Sequence, residues 1–194
     1  TTYGGDKGLY AYGTTSFNNY SSSINYFNLV TNSAVVGTDA ASAGTARWAA
    51  TGVGYGSIYG IIMFGQTAAG ATVSTTNLVN DTGVIGSDSS SSGTAGYFSA
   101  ATTYGTGRAT VVFGSSRGVI QNLISNTGVV AADNSTTGTT NRDGVVGTAY
   151  DGDKGILLWG GNTYNVMLTN KVSNTGVVAA DLSQSCAGGV VYPA

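Results

Sequence analysis

Residues 122–133 read NLISNTGVVAAD, and the same text stands three more times: NLVTNSAVVGTD at 28–39, NLVNDTGVIGSD at 77–88 and NKVSNTGVVAAD at 170–181. The starts lie 49, 45 and 48 residues apart. A second block accompanies each copy: YGGDKGLYAYG at Tyr3–Gly13, YGSIYGIIMFG at Tyr55–Gly65, YGTGRATVVFG at Tyr104–Gly114 and YDGDKGILLWG at Tyr150–Gly160. Biased composition does not place four copies of two blocks in register, so the chain is an array of four units.

Each unit divides into four short strand-like runs separated by Gly- and Ser-rich turns. The first is the apolar run inside the Tyr-to-Gly block, such as Ile156-Leu157-Leu158-Trp159, apolar on both faces as a strand covered on both sides should be. An aromatic always precedes its final Gly: Tyr12, Phe64, Phe113 and Trp159. The second run alternates, as in Val73–Val79. The third is the Gly-Val-Val run before the repeated Asp, and the fourth follows the Gly-Thr pairs at 44–45, 93–94 and 138–139. Four short strands in each unit is the size of one β-propeller blade. The expected fold is all-β: a four-bladed β-propeller of four four-stranded repeats, one domain over 1–194, with units at approximately 3–54, 55–103, 104–149 and 150–194 plus 1–2.

The chain ends bear on closure. Asp39 to Tyr55 and Asp88 to Tyr104 are both 16 residues, and joining Ala194 to Thr1 makes Asp181 to Tyr3 16 as well. The N-terminal strand is therefore expected to pair with the C-terminal strand Gly189–Tyr192, which would close a ring within the chain and remove open sheet edges. Tail-to-head pairing between chains satisfies the same text.

Composition narrows the chemistry. The chain of 194 residues has 31 Gly, one Pro, one Cys, no His and no Glu, and 8% charged residues. Zero His excludes a Ser-His-Asp triad, a Cys-His pair and any His-ligated metal. Net charge is −2 and the seven basic residues are scattered, so no phosphate-neutralising nucleic-acid surface is expected. No apolar stretch approaches the ~20 residues that span a bilayer as a helix.

The repeats resemble kelch-type propeller repeats in length and glycine-aromatic punctuation. SNTGVVAAD, the Gly44-Thr45-Ala46-Arg47 turn and the YxGDKGIxxxG block are similar to tandem repeats in surface and tail-associated proteins of aquatic bacteriophages. That resemblance covers nearly the whole chain and implies an exposed, non-enzymatic structural or adhesion role.

No catalytic residue, metal site or cofactor is expected. Asp39, Asp88, Asp133 and Asp181 occupy one position in every unit, and a residue present once per blade serves the blade, here by bonding nearby backbone N–H groups. Asp151-Gly152-Asp153 looks like a fragment of a calcium loop but lacks the third acid and the closing Glu. Cys186 stands where other units carry Gly, with no base to activate it. Departures from the repeat are where a ligand or partner would be sought. Arg47, Trp48, Tyr97 and Arg142 suit stacking on a sugar face or anchoring a partner, and Tyr20 lies in an inter-strand loop that is long and aromatic in unit one and short in unit three. The same Trp48 and Tyr97 also suit packing between blades. Lys171 replaces a Leu found at 29, 78 and 123, which predicts a local change of exposure in the last unit.

The expected function is a non-catalytic structural or adhesion module on the surface of a virion or extracellular assembly, with protein subunits or surface glycans as partners and no membrane insertion. A free-standing glycan-binding lectin is the alternative, and a glycan-active enzyme a distant one.

Overall fold

The structure, a computed structural model, describes residues 1–16, 22–161 and 167–183. Eighteen strands are assigned among them, and no helix in them is long and apolar enough to cross a membrane. Unit one holds β1 (Thr2–Tyr3), β2 (Lys7–Thr14), β3 (Ser23–Val30), β4 (Ala40–Ala41) and β5 (Arg47–Trp48). Unit two holds β6 (Thr51–Tyr55), β7 (Tyr59–Met63), β8 (Gln66–Thr67), β9 (Thr75–Val79) and β10 (Ser89–Ser90). Unit three holds β11 (Ala100–Tyr104), β12 (Arg108–Val112), β13 (Ile120–Ile124) and β14 (Asn134–Ser135). Unit four holds β15 (Val146–Tyr150), β16 (Lys154–Leu158), β17 (Leu168–Val172) and β18 (Leu182–Ser183). They form four antiparallel four-stranded sheets, β1-β2-β3-β4, β6-β7-β9-β10, β11-β12-β13-β14 and β15-β16-β17-β18, and one two-stranded ribbon, β5-β8.

Two expectations about the strands change. The strand after the Gly-Thr pair opens the next sheet: β6 pairs with β7 from Thr51↔Met63 to Tyr55↔Tyr59, so each sheet begins before the repeated Tyr. The Gly-Val-Val run is a turn, with only single bridges such as Ile124↔Val130. Gly83, Gly128 and Gly176 sit there at φ +80 to +85°, a region glycine enters without a Cβ penalty. The fourth strand is a two-residue segment just after the repeated Asp.

The apolar core lies between sheets. Val53, Tyr55, Ile61, Met63 and Phe64 of unit two pack with Ala109, Val111, Ile124 and Val130 of unit three. Tyr104, Val112 and Phe113 of unit three pack with Leu157, Val172 and Val178 of unit four. Tyr3 and Leu9 of unit one pack with Ile62, Val79 and Ile85 of unit two. Adjacent residues of one strand thus serve opposite seams: Ile61 and Met63 face unit three, and Ile62 faces unit one. This is why the second strand of each sheet is apolar at successive positions. Burying each such side chain contributes ~1.5–3 kcal/mol.

The first strands of the four sheets share a cavity of about 440 Å³, lined by Thr1–Thr2, Gly52–Gly54, Ala101–Thr103 and Gly147–Ala149. The expected closing strand Gly189–Tyr192 lies outside the described residues.

Candidate functional site

The polar side chains that recur in the sequence meet at the seams. Each of the repeated aromatics Tyr12, Phe64, Phe113 and Trp159 has a positive φ of 55 to 64°, and a glycine follows it. A left-handed residue with a Cβ costs ~1–2 kcal/mol, and here the turn ends the strand and re-aims the ring. Above three of these rings lies a guanidinium: Arg47 over Tyr12 at 4.3 Å, Arg117 over Phe64 at 4.3 Å and Arg142 over Phe113 at 4.7 Å from Cζ to ring centroid.

Each guanidinium reaches into the next unit's second block, or closes on it from within. Arg47 Nη2 donates to Asn77 Oδ1 at 2.6 Å, Arg117 Nη2 to Asn122 Oδ1 and Arg142 Nη2 to Asn170 Oδ1. These three asparagines are fully buried. Their amide nitrogens are spent in one pattern: Asn122 Nδ2 donates to Ala131 O at 3.0 Å and to Asp133 Oδ1 at 2.9 Å, and Asn77 and Asn170 do the same with Gly86 and Asp88, and with Ala179 and Asp181. The aspartate in turn accepts from the preceding unit. Asp88 takes the Thr45 N–H and hydroxyl, Asp133 those of Thr94, and Asp181 those of Thr139 plus the Thr140 N–H. In Asp88, Asp133 and Asp181 the expected bonds to nearby backbone N–H groups are replaced by bonds to backbone about forty residues away in another unit.

The electrostatics follow from this geometry. Burial pushes the carboxyls of Asp88, Asp133 and Asp181 upward, but hydrogen bonds from threonine, asparagine and backbone N–H groups outweigh it and hold all three below the usual carboxylate value. Burial lowers the arginine pKa values, that of Arg117 to about 10, with the facing aspartates opposing the shift. All three arginines remain charged at neutral pH.

The sequence-selected binding residues distribute as follows. Arg47 and Arg142 are fully buried, and Trp48 is 9% exposed. Trp48 packs against Tyr97 at 5.7 Å and Phe98 at 5.5 Å between ring centroids, joining unit one to unit two. Tyr97 is half-buried in the same cluster. Arg47, Trp48 and Arg142 are thus buried, and Tyr97 is the partly exposed member of the four. Tyr20 lies outside the described residues, as does Cys186. In the calcium-loop fragment, Asp151 pairs with Lys154 at 2.6 Å, and no group of three acids or Cys that could hold a metal occurs among the described residues. Arg117, a scattered loop residue in the sequence, belongs to the seam set.

The faces of unit four and unit one that would meet in a closed ring differ from these three seams. At those, a Cβ on Gly83, Gly128 or Gly176 would lie within 2.7–3.1 Å of a Leu and a Tyr of the preceding unit. Unit one has Ala34 there, at φ +62°, and unit four has Lys171 in place of the Leu. A Cβ on Gly4, Gly56 or Gly105 would meet a carbonyl of the next unit at 2.9 Å, and unit four has Asp151 there. Accordingly Val36 is 57% exposed, whereas its counterparts Ile85, Val130 and Val178 are buried, and Tyr150 and Trp159 are also exposed. Lys171 is exposed, as is Leu78 at the same position of unit two, so the replacement of Leu does not by itself mark a change of exposure.

No family model matches the chain, and no curated protein matches it.

Proposed function

We propose that the chain is a non-catalytic structural or adhesion module of a virion surface or other extracellular assembly, built as a four-bladed β-propeller whose fourth seam differs from its other three. The observation that carries this reading is the use of the charged residues. Three of the seven cations and three of the nine acids are consumed in joining one unit to the next. Lys7 and Lys154 pair with Asp6 and Asp151 on the surface. That allocation favours cohesion over chemistry, and it leaves too little positive surface for nucleic acid. The cavity shared by the four first strands fits a radial arrangement of blades and carries no charged side chain. The likeness of the repeats to those of phage surface proteins points the same way.

The test is a glycan array and a glycan-hydrolysis screen on the folded chain, run beside light scattering. The expected result is a defined particle with neither saturable glycan binding nor turnover. Saturable binding would favour a lectin, and hydrolysis would overturn the reading altogether.

A further inference from the structure

The second block builds the same acceptor pair four times, and in three of them it holds an arginine. In the fourth, Asn28 Nδ2 donates to Gly37 O at 3.0 Å and to Asp39 Oδ1 at 2.8 Å. These bonds match those of Asn77, Asn122 and Asn170. The amide nitrogen is spent in the same way, so Asn28 Oδ1 and the Asp39 carboxylate are left as the same pair of acceptors. No arginine or threonine among the described residues bonds to either. In the sequence, the unit-four positions that correspond to Thr45 and Arg47 are Ala187 and Gly189, and the unit-one position that corresponds to Arg117 is Ser16. The chain therefore encodes no arginine for this pair at either position that supplies one elsewhere.

The second seam shows that such a seat accepts a guanidinium from a different segment. Gly96 stands at the position of Arg47 and Arg142, and the guanidinium arrives from Arg117 on another loop. Val36, exposed where its three counterparts are buried, extends the fourth seat with apolar surface.

We propose that the Asn28–Asp39 face of unit one is a receptor for the arginine side chain of a partner polypeptide. This deepens the structural reading above by naming a class of partner. A guanidinium is planar and presents its donors in a fork, so it can span an amide oxygen and a carboxylate together, whereas an ammonium is a point charge. Two acceptors already held in place reduce the ordering cost of binding. Apolar contact with Val36 favours arginine followed by a hydrophobic residue.

The probe is the peptide acetyl-Gly-Thr-Ala-Arg-Trp-amide, which copies residues 44–48, titrated into the full chain and followed by amide chemical shifts. Saturable binding with Kd below ~1 mM is expected, weakened about tenfold or more when lysine or citrulline replaces the arginine. Asp39→Asn and Asn28→Ala are expected to abolish it without moving the thermal midpoint appreciably. Ser16→Arg is expected to fill the seat from within, raising the midpoint and excluding the peptide. No saturable binding, equal binding of the lysine peptide, or undiminished binding by Asp39→Asn would each overturn the proposal. Glycan hydrolysis would overturn the structural reading and leave the peptide titration unaffected, so the two failures are distinguishable.

Discussion

The Arg117 side chain fills the space that a side chain at Gly96 would need: a Cβ on Gly96 would overlap the Arg117 Cγ and Cδ atoms. Two of the three seams draw their arginine from the end of the preceding unit, and the middle one draws it from the loop after Phe113, four residues on. Arg117 Nε donates to Phe113 O at 3.1 Å, and its guanidinium bonds Thr94 O and Asn122 Oδ1. Removing it orphans the buried Asn122 Oδ1 and takes the donor from two backbone carbonyls, and a buried acceptor left unsatisfied costs ~1–3 kcal/mol. Arg117→Ala is expected to lower stability by about that much in urea denaturation. Gly96→Arg alone is expected to destabilise by overlap. The double variant is expected to recover most of the loss, because the arginine then enters as Arg47 and Arg142 do. A double variant no better than Arg117→Ala would show that the two routes are not equivalent.

The aspartates give an internal control. Asp133 accepts from Thr94 N, Thr94 Oγ1 and Asn122, whereas Asp39 accepts from Asn28 alone among the described residues. Bonds to a charged group contribute ~1.5–3 kcal/mol each net, with the cost concentrated where a buried partner is orphaned. Asp133→Ala is expected to destabilise by ~2 kcal/mol or more, and Asp39→Ala to stay within ~0.5 kcal/mol, as for an exposed site. Equal losses in the two variants would mean that the repeated carboxylate acts within its unit rather than across the seam.

Much of this arrangement was readable in the chain and some was not, for physical reasons. The second strand of each sheet was legible because burial between two neighbours makes Ile61-Ile62-Met63 apolar throughout, whereas the third was located by its repeat and not by alternation, since Asn77 is fully buried and Leu78 exposed. The Gly-Val-Val run misled because its first valine is exposed and its second position buried, as Val129 at 64% and Val130 at 6% show. That alternation imitates a strand, yet it comes from a turn pressed against the previous unit. The role of the repeated Asp as a support was legible from its recurrence. Its partner was not, because Thr45 and Asp88 are 43 residues apart and only the stacking of units brings them together. Arg117 carried no repeat signal, since the residues four past the other three repeated aromatics are Ser16, Ala68 and Thr163.

Glycine at the seam turn is required by contact as well as by conformation. A Cβ on Gly128 would lie 2.7 Å from Tyr55 Cζ and 2.9 Å from Leu78 Cδ2, at φ +80°. Gly128→Ala therefore adds overlap to a left-handed strain of ~1–2 kcal/mol and is expected to destabilise by more than the strain alone. Ala34 already bears that strain, at φ +62° in an exposed turn, so Ala34→Gly is expected to leave stability unchanged or raise it by up to ~1 kcal/mol. Thermal midpoints of the pair decide it. A comparable loss in both would place a packed neighbour over Ala34.

The pH dependence should be one-sided. The chain has no histidine, so no side chain with an ordinary pKa titrates between pH 5 and 8. Asp88, Asp133 and Asp181 are held below the ordinary carboxylate value in the folded state, against the upward push of burial, by threonine, asparagine and backbone N–H donors. A depressed folded pKa means that the unfolded chain binds the proton first. The stability these groups contribute is thus complete above the unfolded aspartate value of ~3.9 and is lost as pH falls through the folded values. Stability in urea is expected to decline gently below pH 8, where the unfolded chain regains the Thr1 ammonium proton before the folded chain because burial lowers that group's pKa, and to fall steeply below about 4. Replacing all three aspartates with asparagine should remove most of that acid limb while lowering the plateau, because the amide keeps one acceptor and loses the charge. An acid limb below about pH 4 that the triple variant retains in full would mean that the seam carboxylates are not its source.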